Sequence, residues 1–410
     1  MGFIKRGTNM KILFIAPYQP NLIRVRPYQL IRHLSKQGHQ ITLIFYDSKI
    51  DPEVQLQLEK ICHQVIGFES SNILSLINVI SSLPGKTPLQ ANYGWVPTMD
   101  KTINQLIQNG NFHFDVIHIE HIRAVKYGLS IIKNNSLYPP ICWDSVDSIT
   151  HLFSQASKQH PNRLARFVLK LEVKRTAKFE PETASLFNQV LVTSPTDHQI
   201  FLDLLNQNKK QAQITVLPNG VDLEYFMEDE SIHREEKTIV ISGKMSYHAN
   251  QKMVLRFVED ILPKVWAIDP EVKLWIVGKD PGEKIRSLAE DQRIEVTGWV
   301  ADIRPYLQKA TLAVAPLAYG AGIQNKILEA QACGTPVITS HSAIQALDVI
   351  PGQDLLASDD NDEFANLILD LIVDKEKRTR IGKNGRLYVE SNHSWDAVAT
   401  QLGYLYEALI

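Results

Sequence analysis

Residues 316 to 339 read Pro-Leu-Ala-Tyr-Gly-Ala-Gly-Ile-Gln-Asn-Lys-Ile-Leu-Glu-Ala-Gln-Ala-Cys-Gly-Thr-Pro-Val-Ile-Thr. Their order of apolar, glycine and charged positions decides the fold. Thr311 to Ala315, just before, is a short apolar run that suits a buried strand. Gly320 and Gly322 let the backbone take positive φ and come close to a ligand. Ile323 to Ala332 fits a short helix, which Gly334 and Pro336 end before the next strand. The free amides at the start of that helix, at Ile323, Gln324 and Asn325, form an anion site. Lys326 adds a positive charge one turn in. Glu329 follows about two turns in, and an acid there suits ribose hydroxyls better than phosphate. Loop, cation and acid in this order fit a nucleoside diphosphate. An ordinary β-α-β unit with a solvated Lys and Glu has the same pattern, and the loop alone does not choose between the two.

The totals narrow the choice. A chain of 410 residues has room for two domains. At 44% hydrophobic and 21% charged it is globular rather than disordered. A net charge of −2 gives no basic excess for nucleic acid. Cys62, Cys142 and Cys333 are scattered and lack metal spacing, so a reduced cytoplasm is expected. No apolar run approaches the ~20 residues of a membrane span. Ile12 to Ala16, after Lys5 and Arg6, is too short for a signal core and is better read as the first strand, with Met10 one candidate start.

The chain in order predicts two Rossmann-like halves. Lys11 to Pro17, Arg24 to Gln37 and Gln40 to Tyr46 read as strand, helix and strand. The loop from Pro17 to Pro27 carries Arg24 and Arg26, for which a solvated loop and a ligand-facing loop are equally good readings. Ser70 to Gly85 holds no charge and is expected to be a core helix. Phe114 to Ile119 and Ile141 to Trp143 read as strands. At their carboxyl ends lie Glu120, His121, Asp144 and Asp147, on the rim where open α/β sheets bind ligands. Arg163 to Lys178 reads as a long helix with Arg166, Lys170, Lys174 and Lys178 in one stripe. A solvated face is the plain reading of that stripe, and an anionic membrane or polyprenyl phosphate the sharper one. Pro218-Asn219-Gly220-Val221-Asp222 follows, and the polar run Glu228 to Lys237 is the expected linker. A second alternation of strand and helix begins at Thr238, with Gly243-Lys244 after its first strand and Gly298-Trp299-Val300 after its third.

Leu-Glu-Ala-x-Ala-Cys-Gly-Thr-Pro-Val-Ile, together with Pro-Asn-Gly-Val-Asp, resembles the retaining glycosyltransferases of family 4. That resemblance implies an α/β GT-B fold, in which two Rossmann-like domains with parallel sheets face a central cleft. It puts the acceptor-side domain at 10–227, completed by a C-terminal helix at 394–410, and the donor-side domain at 236–392. It implies transfer of a sugar from a nucleotide-diphosphate sugar with retention of configuration, with no other cofactor and no metal. The acceptor would be a glycan, a lipid-linked acceptor or a small molecule. The scattered cysteines make a cytoplasmic enzyme the expectation, and the cationic stripe makes peripheral contact at the inner face of a membrane the sharper one.

Residue by residue, the resemblance gives Glu329 the donor ribose, Val300 the nucleobase through its backbone, and Lys244 and Lys326 the diphosphate. Many members carry Glu-x7-Glu; here the first Glu falls on Ala321. Many also place a His near the transferred sugar, where this chain reads Asp144-Ser145-Val146-Asp147. Asp147, His121 and Asp144 are therefore the catalytic candidates. An NDP-sugar 2-epimerase of the same fold and an inactive nucleotide-binding relative remain as alternatives.

Overall fold

The computed structural model describes residues 9–21, 24–71, 78–79, 85–108, 113–159, 162–229, 231–317 and 323–410. Most of the expected helix at Ser70 to Gly85 lies outside the described residues, as do Gly320, Ala321 and Gly322.

Two compact units divide the chain, Met1–Pro218 with Val398–Ile410, and Asn219–Ala397. The first holds β1 (Lys11–Ala16), β2 (Gln40–Asp47), β3 (Gln64–Glu69), β4 (Val116–Glu120), β5 (Ile141–Val146), β6 (Gln189–Val192) and β7 (Ile214–Val216). They form one parallel sheet in the order β3-β2-β1-β4-β5-β6-β7. Five of the six residues of β1 are buried, as expected of a parallel strand covered on both faces. The helices that matter to the site are α1 (Val25–Lys36), α2 (His121–Asn134), α3 (Ile149–Gln159) and α4 (Arg163–Ala184). Asn162 starts α4 by accepting the amides of Leu164 and Ala165.

The second unit repeats the logic with β8 (Thr238–Ser242), β9 (Lys273–Val277), β10 (Ile294–Gly298), β11 (Leu312–Ala315), β12 (Val337–Thr339) and β13 (Leu356–Ala357). Their order is β10-β9-β8-β11-β12-β13, again all parallel. Its helices include α5 (His248–Arg256) and α6 (Asn325–Ala332). Each sheet reverses its strand order once, between β1 and β4 and between β8 and β11. Those switch points open crevices at the carboxyl ends of the strands, where ligands of such folds bind.

The contact boundary falls at Pro218, earlier than the polar run at 228–237. The reason is local: Val221 bridges to Ser394, and its amide bonds the carbonyl of His393 at 2.6 Å. Arg386 also donates to the carbonyl of Phe226 at 2.9 Å. The polar run itself is fastened down. Arg234 donates to the carbonyls of Gln308, Ala310 and Cys333 and to the Thr335 hydroxyl at 2.9–3.1 Å. The last helix, α7 (Trp395–Glu407), belongs to the first unit from Val398 onward. There Tyr406 bonds His118 Nδ1 at 2.6 Å, and Gln37 donates to Thr400 Oγ1 at 2.9 Å.

Candidate functional site

In the first unit the switch point collects charge. Parallel register sets Glu120 beside Asp144. His118, two residues before Glu120 on β4, shares its face. His118, Glu120 and Asp144 place ligand-type atoms within 4.8 Å of one another, all buried. The sequence offered no such cluster because its members come from two strands.

Arg26 decides the character of the cluster. It is 7% exposed and on α1, not a solvated loop residue. Its Nε and Nη2 both lie 2.8 Å from Asp144 Oδ2, and it also donates to the carbonyls of Leu217 and Pro218. The guanidinium thus supplies the positive charge that a cation would bring. Glu120 is pushed up to about 7 by burial, against the pull of Arg26. Tyr18 donates to Glu120 Oε1 at 3.4 Å. His118 stacks on Phe14 at 4.1 Å, and burial lowers it to about 4. Its Nε2 lies 3.5 Å from Glu120 Oε2. A neutral histidine beside a carboxyl that titrates near neutrality keeps the buried charge low.

The rim above this cluster is built from two unusual backbones. His121 has φ 63 and Val146 φ 68, in the left-handed region that residues with a Cβ avoid. A bulge between Asp144 and Val146 accompanies the second, and the Val146 amide bonds Asp144 Oδ1 at 3.1 Å. Strain of this kind concentrates at functional sites. The His121 ring is half-buried, accepts the Arg123 amide on Nδ1 at 3.3 Å, and is lowered to about 3 by burial and then by Arg123. It is therefore neutral at pH 7. Asp147 is half-buried and accepts from Thr193 Oγ1 at 3.3 Å. Burial first, then Asp197, raises its pKa. Of the three catalytic candidates, His121 and Asp147 sit on the rim, whereas Asp144 is fully buried in its ion pair. Arg24, two residues before Arg26, bonds Asp47 at 2.9 Å and covers the Tyr18 ring.

In the second unit, three neighbouring strands end in glycines with positive φ: Gly243 (145), Gly278 (149) and Gly298 (67). A Cβ at Gly278 would lie 1.7 Å from the Gly243 carbonyl oxygen, so the backbones approach as only glycine allows. Lys244 is exposed at this edge. Lys326 on α6 donates to Asn250 Oδ1 at 2.6 Å, and Asn250 donates in turn to the Lys244 carbonyl at 2.9 Å. One asparagine thus links the two lysines that the sequence singled out separately. Burial lowers Lys326 to about 8, with Glu329 pulling the other way. Burial raises Glu329 to about 7, with Lys326 pulling it down. The two are three apart on α6 and so share a face.

Gln324 precedes α6 at its N-cap position, with Ile323 half-buried against the core and Asn325 exposed. Val300 packs half-buried on the same core, beside the exposed Trp299. The stretch that leads into the glycine loop is anchored by three hydroxyl groups at the end of β12 and just after it. Ser340 and Ser342 donate to the Leu317 carbonyl at 2.6 and 2.7 Å, and Thr339 to that of Ala315 at 2.8 Å. A run of Thr-Ser-x-Ser just after a strand was the only signal available.

Comparison with known proteins agrees with this geometry. Residues 24–225 match the family model described as Glycosyltransferase Family 4, and residues 236–374 the one described as Glycosyl transferases group 1. A GDP-mannose-dependent monoacylated alpha-(1-6)-phosphatidylinositol monomannoside mannosyltransferase of Corynebacterium glutamicum is 32% identical over 211 residues, covering 45% of this chain and 54% of that protein. A D-inositol 3-phosphate glycosyltransferase of Corynebacterium jeikeium is 25% identical, covering 56% and 61%. The chain therefore spans about half the length of the curated relatives it matches. Among solved structures, Anabaena HepE in complex with UDP-glucose superposes with a TM-score of 0.62 at 17% identity, over 98% of this chain and 100% of that one. Sucrose-phosphate synthase from Thermosynechococcus elongatus gives 0.60 at 18%, over 98% and 99%. These likenesses show the fold, an α/β architecture of the GT-B class with a parallel sheet in each unit.

Proposed function

We propose that this chain, which belongs to glycosyltransferase family 4, transfers a sugar from a nucleotide-diphosphate donor to an acceptor with retention of configuration. The observation that carries the reading is the Lys326–Asn250–Lys244 linkage beside Glu329. One amide holds the Lys326 ammonium and fixes the backbone of Lys244, and with an acid on the helix face of Lys326 the set suits a diphosphate next to a ribose. The glycosidic C1–O bond to the β-phosphate breaks and leaves negative charge on the phosphate, where Lys244 and Lys326 would stabilise it. The acceptor oxygen bonds C1, and its proton passes to the departing phosphate. The chain's own lysines supply the charge this step needs, so no metal enters the proposal.

The donor grip would then be Glu329, Lys244 and Lys326, with Ile323, Gln324, Asn325, Gly320 and Gly322 around the phosphates and Val300 at the base. Asp147 and His121 are the proposed contacts to the transferred sugar or acceptor. Asp144 is proposed to act through Arg26, as a positioning residue. A lipid-linked or glycan acceptor is favoured, since the curated relatives include phosphatidylinositol mannoside mannosyltransferases. No helix among the described residues is long and apolar enough to cross a membrane, so we propose that such an acceptor is met peripherally, at the cytoplasmic face.

The test is a thermal-shift screen of nucleotide sugars, beginning with GDP-mannose and UDP-glucose. A ligand that binds only the native state raises the melting temperature. The donor found is then assayed for nucleoside diphosphate release with candidate acceptors. Interconversion of sugars without acceptor would instead indicate an epimerase, and binding without either reaction an inactive relative.

A further inference from the structure

On an amphipathic helix of a globular domain, apolar residues at i, i+3, i+4 and i+7 normally face the core. On α4 they face outward. Leu164, Phe167, Val168 and Leu171 have this spacing and are 72%, 60%, 41% and 42% exposed. The side of α4 that packs inward near them carries Glu172 and Thr176 instead. Leu152 of α3, 42% exposed, extends the apolar face.

Two depressions flank this stripe. One is an apolar groove of about 780 Å³ between α3 and α4, lined by Leu152, Phe153, Ala156, Leu164, Val168 and Leu169 among others. The other, about 420 Å³, is lined by Ser157, Lys158, Arg163, Arg166, Phe167 and Lys170. From Ile149 to Leu171 the chain has four Lys or Arg and no Asp or Glu. None of the four forms an ion pair among the described residues. An apolar groove beside an unneutralised basic hollow matches the two parts of an anionic lipid, its acyl chain and its phosphate.

We propose that the outer end of the α3–α4 hairpin docks on an anionic bilayer. Leu164, Phe167 and Leu171 enter the interface, and Lys158, Arg163, Arg166 and Lys170 meet lipid phosphates. The hairpin begins at Ile149, two residues after Asp147, so docking would hold the acceptor-side rim near the surface where a lipid-linked acceptor lies. The docking does not depend on which sugar is transferred.

The full-length chain should sediment with phosphatidylcholine vesicles containing phosphatidylglycerol, and remain in the supernatant with phosphatidylcholine alone. Leu164→Ser/Phe167→Ser/Leu171→Ser and Arg163→Gln/Arg166→Gln/Lys170→Gln should each lower the partition coefficient about tenfold or more, since each variant removes three apolar or three charge contributions to binding. Donor affinity and melting temperature should stay at wild-type values in both, which separates a failure here from a failure of the transferase reading. A Phe167→Trp variant gives a direct reading: brominated lipid should quench its emission beyond that of the native tryptophans. The proposal is overturned if wild type ignores anionic vesicles, if both triple variants bind as wild type does, or if bromolipid leaves Trp at 167 unquenched. It is equally overturned if light scattering shows a dimer that the apolar variant splits while vesicle binding persists, because the stripe would then be covered by a second copy.

Discussion

His121 and Val146 take the same left-handed conformation, φ 63 and 68, at the carboxyl ends of the neighbouring strands β4 and β5. A Cβ in that region costs roughly 1–2 kcal/mol, so the surrounding packing must hold both residues there. Val146→Gly removes the penalty and loses a half-buried side chain. We expect its melting temperature to stay within a few degrees of wild type while diphosphate release falls, because the Asp144–Asp147 segment loses its fixed geometry. Unchanged release would mean that the strained turn plays no part in the reaction.

Arg26→Met leaves the buried carboxylates of Asp144 and Glu120 without their cation. Breaking a buried pair from one side typically costs about 3–5 kcal/mol, so denaturant unfolding should show a large loss. Arg26→Met/Asp144→Leu removes both charges and should recover much of it. A double variant no more stable than the single one would show that Arg26 acts mainly through the Leu217 and Pro218 carbonyls.

The two-unit α/β plan was legible because parallel strands buried on both faces appear as short, continuous apolar runs between glycine turns. Glu329, Lys326 and Lys244 were legible for a similar reason: each sits at a fixed offset from such a turn. Arg26 was not. Its partners lie more than 100 residues away, and nothing in a loop sequence separates a solvated arginine from one clamped across three chain segments. The His118–Glu120–Asp144 cluster was half visible through the alternation along β4, but strand order alone brings Asp144 beside it. Left-handed backbone at a histidine and a valine has no sequence signal, since β-branched valine disfavours it and histidine adopts it in only a minority of positions.

Lys326 should give donor binding a pH dependence of definite sign. Its pKa is lowered to about 8 in the folded protein, so the unfolded chain binds more protons between about 8 and its ordinary value near 10.4. Its contribution to unliganded stability therefore rises with pH across that window. Diphosphate binding runs the other way, because it needs the ammonium, and affinity should fall as pH rises past about 8. Lys326→Met should bind donor more weakly below pH 8, by ~1.5–3 kcal/mol for a lost charge-assisted bond, and lose that slope. Calorimetry of donor binding at several pH values measures both. An equal slope in wild type and variant would place the titrating group elsewhere.

Glu329→Ala should weaken donor binding through loss of a ribose acceptor, and Glu329→Gln less, since the amide keeps one accepting oxygen. Glu329→Gln also removes a group held protonated above its ordinary range, so the fall in stability between about pH 4.5 and 7 that this carboxyl contributes should disappear. Wild-type donor affinity in Glu329→Ala would contradict the ribose assignment.

Asp147 bears on whether the rim takes part in transfer. Its carboxylate is half-buried, accepts from Thr193 and is raised in pKa by burial and by Asp197. A carboxylate short of compensating cations is suited to accept from a sugar or acceptor hydroxyl, which would relieve its partial desolvation. Asp147→Asn keeps the shape and one oxygen acceptor but removes the charge. Since the proposed nucleotide grip is carried by Lys244, Lys326 and Glu329 on the other unit, nucleoside diphosphate affinity should stay within about twofold of wild type, while turnover falls by one to two orders of magnitude, as expected when a group acting in the transition state is lost. A merely structural carboxylate would give a different pattern: a lower melting temperature with turnover per folded molecule preserved. If Asp147→Asn turns over normally, His121→Gln is the next variant to measure, because the neutral imidazole is the other half-buried polar group on the same rim.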